Sequence, residues 1–240
     1  GVTFTYPTGG APALDDISFT LGHGKTLGII GGTGSGKSTL IGLIPRFYDV
    51  QEGCVKVDGC DVRQYPLETL RRKIGLVPQK ALLFKGTIRE NLLWGDEGAT
   101  DDAIYDALKA AQAQEVVDGK PEGLDYEVET GGRNFSGGQR QRLTIARALV
   151  RKPEVLILDD SASALDFATD AALRHALREL PWKPAVVIIS QRTASIRFAD
   201  EILVLDDGKL AGRGTHDELL QTCEVYREIY ESQFKKEDAR

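Results

Sequence analysis

The chain has 240 residues, 41% apolar and 28% charged, with a net charge of −6. That composition is ordinary for a globular chain with a full core, and the acidic balance argues against nucleic acid as a main partner. No apolar run approaches the roughly 18 residues of a membrane-spanning helix. The three cysteines, Cys54, Cys60 and Cys223, are too few and odd in number for a disulfide framework, which points to a reducing compartment.

Val2-Thr3-Phe4-Thr5-Tyr6 alternates and reads as a strand, followed by a turn over 7–12 and a second strand over 17–21. The apolar run Thr26–Ile30 then leads into a glycine-rich segment and a helix that ends near Arg46. Residues 53–59 read as a strand and a tight turn. Cys54 and Cys60 have the spacing to face each other across that hairpin, with no metal-ligand set beside them. Residues 67–73 read as a short helix and 74–77 as a buried strand. From 88 to 148 the pattern is mostly helical, clearest over 101–113, where Ile104, Leu108 and Ala111 recur at helical spacing after an acidic start. Val155–Leu158 is a continuous apolar run of the kind found in central parallel strands. A helix over 168–180 stops at Pro181, strands follow at 185–189 and 201–205, and 211–214 leads into a helical tail from Asp217. Strand–helix alternation at both ends, around a helical middle, predicts a three-layer α/β core with a helical insertion. His23, His175 and His216 are scattered and read as surface or loop residues. The chain holds no methionine and opens directly in a strand, which reads as a domain cut from a longer protein.

The glycine-rich segment is Gly31-Gly32-Thr33-Gly34-Ser35-Gly36-Lys37-Ser38, followed by Thr39. Its spacing is that of a P-loop set between a strand and a helix. Glycines let backbone N–H groups turn inward around a phosphate chain, and the helix start adds the positive end of its dipole. Lys37 is placed to reach the β- and γ-phosphates, and the Ser38 hydroxyl to ligate Mg²⁺. The alternative is a glycine-rich turn without a ligand, and eight matching residues in the right context argue against it. Asp159 ends the apolar strand at 155–158, the Walker B position from which a carboxylate holds Mg²⁺ beside a P-loop. Asn134-Phe135-Ser136-Gly137-Gly138-Gln139-Arg140 places a hydroxyl and two glycines at a helix start, a second anion cradle. A simple capped helix start is the plainer reading. Two cradles in one chain make sense if this one serves a nucleotide held by another subunit.

The segment around Ser136 resembles the LSGGQ signature of ATP-binding cassette (ABC) transporters, with Phe135 in the leucine position, and the resemblance spans essentially the whole chain. It implies an α/β fold: a P-loop NTPase core with a mostly parallel central sheet, an N-terminal antiparallel β subdomain and an inserted α-helical subdomain. Core and β subdomain would occupy 1–80 and 154–240, and the helical subdomain 81–153. It implies ATP and Mg²⁺ as cofactors. Tyr6 sits where the family stacks an aromatic on adenine. Gln79 matches the glutamine that approaches Mg²⁺ and couples to the membrane domain. Ser161-Ala162-Ser163-Ala164-Leu165-Asp166 matches the D-loop. The segments 83–91 and 214–220 look like the exporter branch. In that family two cassettes pack head to tail, so Ser136, Gly137, Gly138 and Gln139 would act in trans on the partner's nucleotide.

Two positions depart from the family pattern. Asp160 stands where the family has Glu, and Gln191 where it has His. Asp is one methylene shorter, and misplacement by about 1 Å costs on the order of 100-fold in rate. Gln191 still donates a hydrogen bond but lacks the imidazole's geometry and charge. Lys37, Gln79, Asp160 and Gln191 would be the catalytic set; Ser38, Gln79 and Asp159 would be the metal set. The combination resembles the degenerate half of a heterodimeric exporter. The implied partners are transmembrane domains and a different cassette carrying the standard Glu and His, with no nucleic acid. The expected location is the cytoplasmic face of the cell membrane, this segment itself being soluble. The rival readings are a self-sufficient homodimeric ABC ATPase and a soluble ABC-type ATPase acting on nucleic acid or the ribosome.

Overall fold

The computed structural model describes residues 1–161 and 163–237. In chain order its strands and helices are β1 (Val2–Phe4), β2 (Leu14–Ile17), β3 (Thr26–Gly31), α1 (Lys37–Leu43), β4 (Lys56–Val57), β5 (Cys60–Asp61), α2 (Leu67–Lys73), β6 (Ile74–Val77), β7 (Gly86–Thr87), α3 (Ile88–Leu93), α4 (Asp101–Ala110) and α5 (Gln114–Asp118). They continue with β8 (Glu127–Val128), α6 (Gly137–Val150), β9 (Val155–Asp159), α7 (Phe167–Arg178), β10 (Ala185–Ile189), α8 (Thr193–Ile196), β11 (Glu201–Asp206), β12 (Lys209–Gly214), α9 (His216–Thr222) and α10 (Glu224–Glu237). They form two compact units, one of residues 1–74 and 185–240, the other of residues 75–184.

In the first unit β3 lies between β10 and β11, parallel to both, with Ile29 opposite Ile189 on one side and Leu203 on the other. Strands covered on both faces read as continuous apolar runs, and Leu27, Ile29, Ile30, Leu203 and Val204 are fully buried. Gly28 breaks the run because α8 lies against the strand: a Cβ there would sit 2.9 Å from Ile196 Cβ. β12 pairs antiparallel with β11 through a turn at Asp207-Gly208, both at positive φ, the geometry of a two-residue hairpin.

β1 and β2 pair antiparallel, Val2 with Ile17 and Phe4 with Leu14. The second strand therefore runs over 14–17, not 17–21. The buried partners of Val2 and Phe4 are Leu14 and Ile17, and the polar pair between them, with Asp16 at a φ of 53°, hides the strand from an alternation argument. In the β4–β5 hairpin Cys60 pairs with Val57, so Cys54 does not face it, and all three cysteines are free. The tail contains a full strand, β12, and two helices broken at Cys223, whose extended ψ of 108° ends α9. The Thr215–Glu218 capping box starts α9. α10 packs against α9, β11 and β12, and buries Tyr226 completely.

In the second unit β6 and β9 are hydrogen-bonded neighbours. The helical middle holds several helices, with the one expected over 101–113 running over Asp101–Ala110; α3 and α4 pack on α6, and β7 pairs antiparallel with β8. α3 starts with a Thr87–Glu90 capping box, and Thr100 caps α4. No helix among the described residues is long and apolar enough to cross a membrane.

Burial, followed by the charges of Tyr230 and Asp217, pushes the Tyr226 phenol up to about 12, while its oxygen lies 2.8 Å from His216 Nδ1. The folded state thus holds this proton more tightly than the unfolded chain, whose phenol ionises near pH 10. The stabilisation is fully present below about pH 10 and is lost as pH rises toward about 12. Denaturant midpoints should fall across that window, and Tyr226→Phe should flatten the fall. An equally steep fall in the variant would contradict the assignment.

Candidate functional site

The loop between β3 and α1 is shaped by three close approaches. A Cβ on Gly31 would strike the Leu205 carbonyl oxygen and lie 2.6 Å from Ser35 Oγ. Gly34 and Gly36 take φ values of 82° and 96°, a region that strains any residue with a Cβ. A Cβ on Gly36 would also lie 2.6 Å from the Ala13 carbonyl oxygen. The back of the loop is therefore filled by β11 and the start of β2. Its front is open: a Cβ on Gly32 or Gly34 would meet nothing within 4 Å. Lys37 folds over the loop, its Nζ donating to the Gly31 carbonyl at 2.9 Å, the Gly32 carbonyl at 2.6 Å and Ser35 Oγ at 3.1 Å. Ser38 and Thr33 are exposed and Thr39 is buried. α1 has no acidic residue in its first turn and no side-chain cap, so no carboxylate of its own first turn offsets the positive end of its dipole.

Tyr6 comes to this loop from β1's far end. Its hydroxyl lies 3.0 Å from Thr39 Oγ1, and its ring packs edge-on to Phe4 and Tyr48 with centroids 5.0 and 5.4 Å away. Tyr6 is 36% exposed, so an aromatic residue borders the helix start. Gln191 lies at the same edge. Ile189 pairs with Ile29, Ser190 N donates to the Ile29 carbonyl at 3.1 Å, and exposed Gln191 therefore follows β10 just as Gly31 follows Ile29 and Ile30. The first unit thus brings together Tyr6, Gly31–Thr39 and the loop carrying Gln191.

The second unit brings together Gln79 and Asp160. Gln79 follows β6 and its Nε2 donates to Asp160 Oδ2 at 3.2 Å. Asp160 follows β9 at a φ of 45°, a left-handed position that Asp tolerates better than most residues. Its carbonyl accepts from Ser163 N at 3.2 Å and Ser163 Oγ at 2.8 Å. Asp159 ends β9, half-buried. The D-loop residue Ala162 lies outside the described residues.

Ser136 caps α6. Its Oγ accepts from Gln139 N at 3.2 Å, and its N–H donates to Gln139 Oε1 at 2.9 Å, a reciprocal capping box. The two polar side chains of the signature segment are thus engaged with each other. Gly137 and Gly138 follow, and a Cβ on Gly138 would lie 3.2 Å from the Ala164 carbonyl oxygen. Arg140 donates to the Phe135 carbonyl at 2.6 Å and the Gly132 carbonyl at 3.3 Å. It fixes the turn before the cap, a role with no signal in the local spacing. Lys120 lies 4.2 Å from the Tyr126 ring centroid, and Tyr126 packs edge-on to Phe135.

A loop with an open front, three glycines, a lysine folded across it and an uncapped helix start fits a polyphosphate. The bordering Tyr6 ring fits a nucleobase. Among the described residues no three His, Cys, Asp or Glu side chains cluster as a self-sufficient metal site. A Mg²⁺ at this loop would rest on the Ser38 hydroxyl and phosphate oxygens, since Mg²⁺ is commonly held by few protein groups together with substrate phosphates.

The fold and this loop define an α/β P-loop nucleotide-binding domain. The ABC transporter family model matches residues 14–163. The chain is 48% identical over 236 residues to an ABC transporter ATP-binding protein of Mycobacterium tuberculosis, covering 97% of this chain and 40% of that protein. It is 45% identical to an ATP-dependent lipid A-core flippase of Vibrio cholerae, again over 97% of this chain and 40% of the relative. A solved bacterial Atm1-family ABC exporter with ATP bound matches with a TM-score of 0.90 and 36% identity, over 97% of this chain and 41% of the exporter chain. The chain belongs to the ABC transporter family as an ATP-binding domain. It spans about two-fifths of the length of the relatives it matches.

Gly31→Ala should destabilise the fold by about 1–3 kcal/mol, as overpacking does, and weaken ATP binding at least tenfold. Gly32→Ala should stay within about 0.5 kcal/mol of the parent, because its Cβ meets open space. Urea unfolding and titration with a fluorescent ATP analogue check both. Equal stabilities for the two variants would contradict the geometry.

Proposed function

We propose that this chain is the nucleotide-binding domain of an ABC exporter. It binds Mg-ATP and closes head to tail with a second cassette, and closure drives transmembrane domains on the cytoplasmic face of the cell membrane. The observation that carries this reading is the open, Lys37-crossed loop, in a chain that matches an ATP-bound exporter over 97% of its length. The flippase relative's name supports the exporter direction.

In this reading Gly31–Thr39 cradle the phosphates, with Lys37 on the β- and γ-phosphates, and Tyr6 stacks on adenine. Ser38, Asp159 and Gln79 hold Mg²⁺. Asp160 orients the attacking water, Gln191 donates to the γ-phosphate, and Ser136, Gly137, Gly138 and Gln139 serve the partner's nucleotide. The core with its β subdomain takes residues 1–80 and 154–240, and the helical subdomain residues 81–153.

The same reading makes this chain's own composite site a poor hydrolase. Phosphoryl transfer depends on positioning and electrostatics. Asp160 is the shorter acid, and its Oδ2 already accepts from Gln79, leaving less of the carboxylate to orient a water. Gln191 cannot become cationic. The phosphate-binding residues carry no such change. Binding and hydrolysis are thus separated, as suits a heterodimer whose partner supplies the standard Glu and His.

The test is Mg-ATP turnover by the assembled transporter, parent against the Asp160→Glu, Gln191→His double variant, at matched ATP occupancy. We expect a gain of about ten- to a hundredfold at this site, the scale of an ångström of repositioning, with ATP affinity unchanged. Robust turnover at this site in the parent, not raised in the variant, would show that Asp160 suffices and would leave the homodimeric ATPase as the better reading.

A further inference from the structure

The loop that carries Gln191 is held from a distant part of the chain. Gln233, on α10, places its Oε1 3.0 Å from Thr193 N and 2.9 Å from Thr193 Oγ1, and accepts from both. Its Nε2 donates to the Gln191 carbonyl at 2.7 Å. One carboxamide therefore satisfies a donor on one side of Arg192 and an acceptor on the other. Within the loop, Ser190 N donates to the Ile29 carbonyl and Arg192 N donates to Ser190 Oγ at 2.9 Å. Ser190 and Thr193 are buried, while Gln191 and Arg192 are exposed.

This arrangement fixes the peptide between Gln191 and Arg192 at both its carbonyl and its N–H, and the N–H of the peptide after it. Ser190 is tied to β3, the strand that runs into the phosphate loop, and Thr193 and the Gln191 carbonyl are tied to α10. With the following peptide plane held and the Ser190 amide anchored on β3, backbone bonds constrain the Cα–Cβ direction of Gln191. A buried backbone donor or acceptor that loses its partner costs enough to redirect a loop. The Thr193 amide, in a buried residue, depends on Gln233 in this way, and the Gln191 carbonyl adds a second tie between the loop and α10. α10 is otherwise a helix that covers β11, β12 and α9, and packing alone requires no amide at this position.

We infer that Gln233 is a positioning residue for the nucleotide site: its carboxamide aims Gln191 at the γ-phosphate, so that α10 and the γ-phosphate contact are coupled through the loop of residues 190–193. This rests on the reading of Gln191 as a γ-phosphate donor. The coupling runs both ways, since any displacement of α10 that parts Gln233 from the loop weakens the preference for ATP over ADP.

The readout is the ratio of ATP to ADP affinity, measured in the full-length protein for Gln233→Ala, Gln233→Glu, Gln191→Ala and the Gln191→Ala, Gln233→Ala double variant. Gln233→Glu is nearly isosteric. It keeps acceptors for Thr193 and removes the donor to the Gln191 carbonyl, so it keeps the test open if the alanine variant fails to fold. We expect each Gln233 variant to lower the ratio about tenfold, the scale of one hydrogen bond to a charged group, with ADP affinity within twofold of the parent. Faster hydrogen exchange at the Thr193 amide in Gln233→Ala is expected alongside. The double variant should be no worse than Gln191→Ala alone, because Gln233 acts through Gln191. An unchanged ratio in the Gln233 variants while Gln191→Ala lowers it would overturn the inference and leave the γ-phosphate reading intact. Effects that multiply in the double variant would also overturn it. An unchanged ratio in Gln191→Ala would overturn the γ-phosphate reading itself, and the inference with it.

Discussion

The site hangs on a backbone approach that only glycine permits. β3 is paired on both sides and leads straight into Gly31, where the Leu205 carbonyl of the neighbouring strand and Ser35 Oγ occupy the space a Cβ would need. Because the back of the loop is closed against β11 and the start of β2, its N–H groups and Lys37 have only the front to address. The phosphate cradle is thus a consequence of sheet register: parallel pairing of β10 and β11 with β3 brings the loop, Gln191 and the β11–β12 connection to one edge. Ligands of open α/β sheets bind at that edge.

Two glutamines then carry much of what distinguishes this cassette. Gln79 is spent on Asp160, and Gln191 is held by Gln233. In both cases a carboxamide serves geometry rather than proton transfer, which suits a reaction whose barrier is lowered by positioning and charge. In the proposed reading, a phosphate loop of full spacing, a shortened acid and a neutral Gln191 suit a domain that holds ATP longer than it splits it. The capping box at Ser136 adds a constraint on the other half of the cycle. The serine and glutamine expected to meet a partner's nucleotide also stabilise α6, so substitutions there change helix stability as well as any function in trans.

Much of this was legible in the sequence because the signals are local. The P-loop spacing, the continuous apolar strands at 155–158 and 185–189, and the helix over 67–73 each depend on a short run of residues, and the structure places them there. Features fixed by distant pairing were not legible. The second strand begins at Leu14 because Phe4 pairs with it, and nothing in the polar Asp15-Asp16 stretch reveals that partner. Cys60 faces Val57 because of a two-residue turn at Asp58-Gly59, which excludes the Cys54 pairing that spacing allowed. Gln233 lies 42 residues from the carbonyl it holds, and on a charged, amphipathic helix a glutamine carries no local mark of such a contact. Asp160 and Gln191 stood out only against a family pattern, and their hydrogen bonds show in physical terms what each is tied to.

The most direct test of the account is the state of the nucleotide on this chain during turnover. The assembled transporter would be loaded with a photoreactive ATP analogue labelled on the γ-phosphate, allowed to cycle, then crosslinked through the base. The account predicts that the label stays on this chain after the partner cassette's site has lost it. Loss of the label from both sites at the same rate would contradict it.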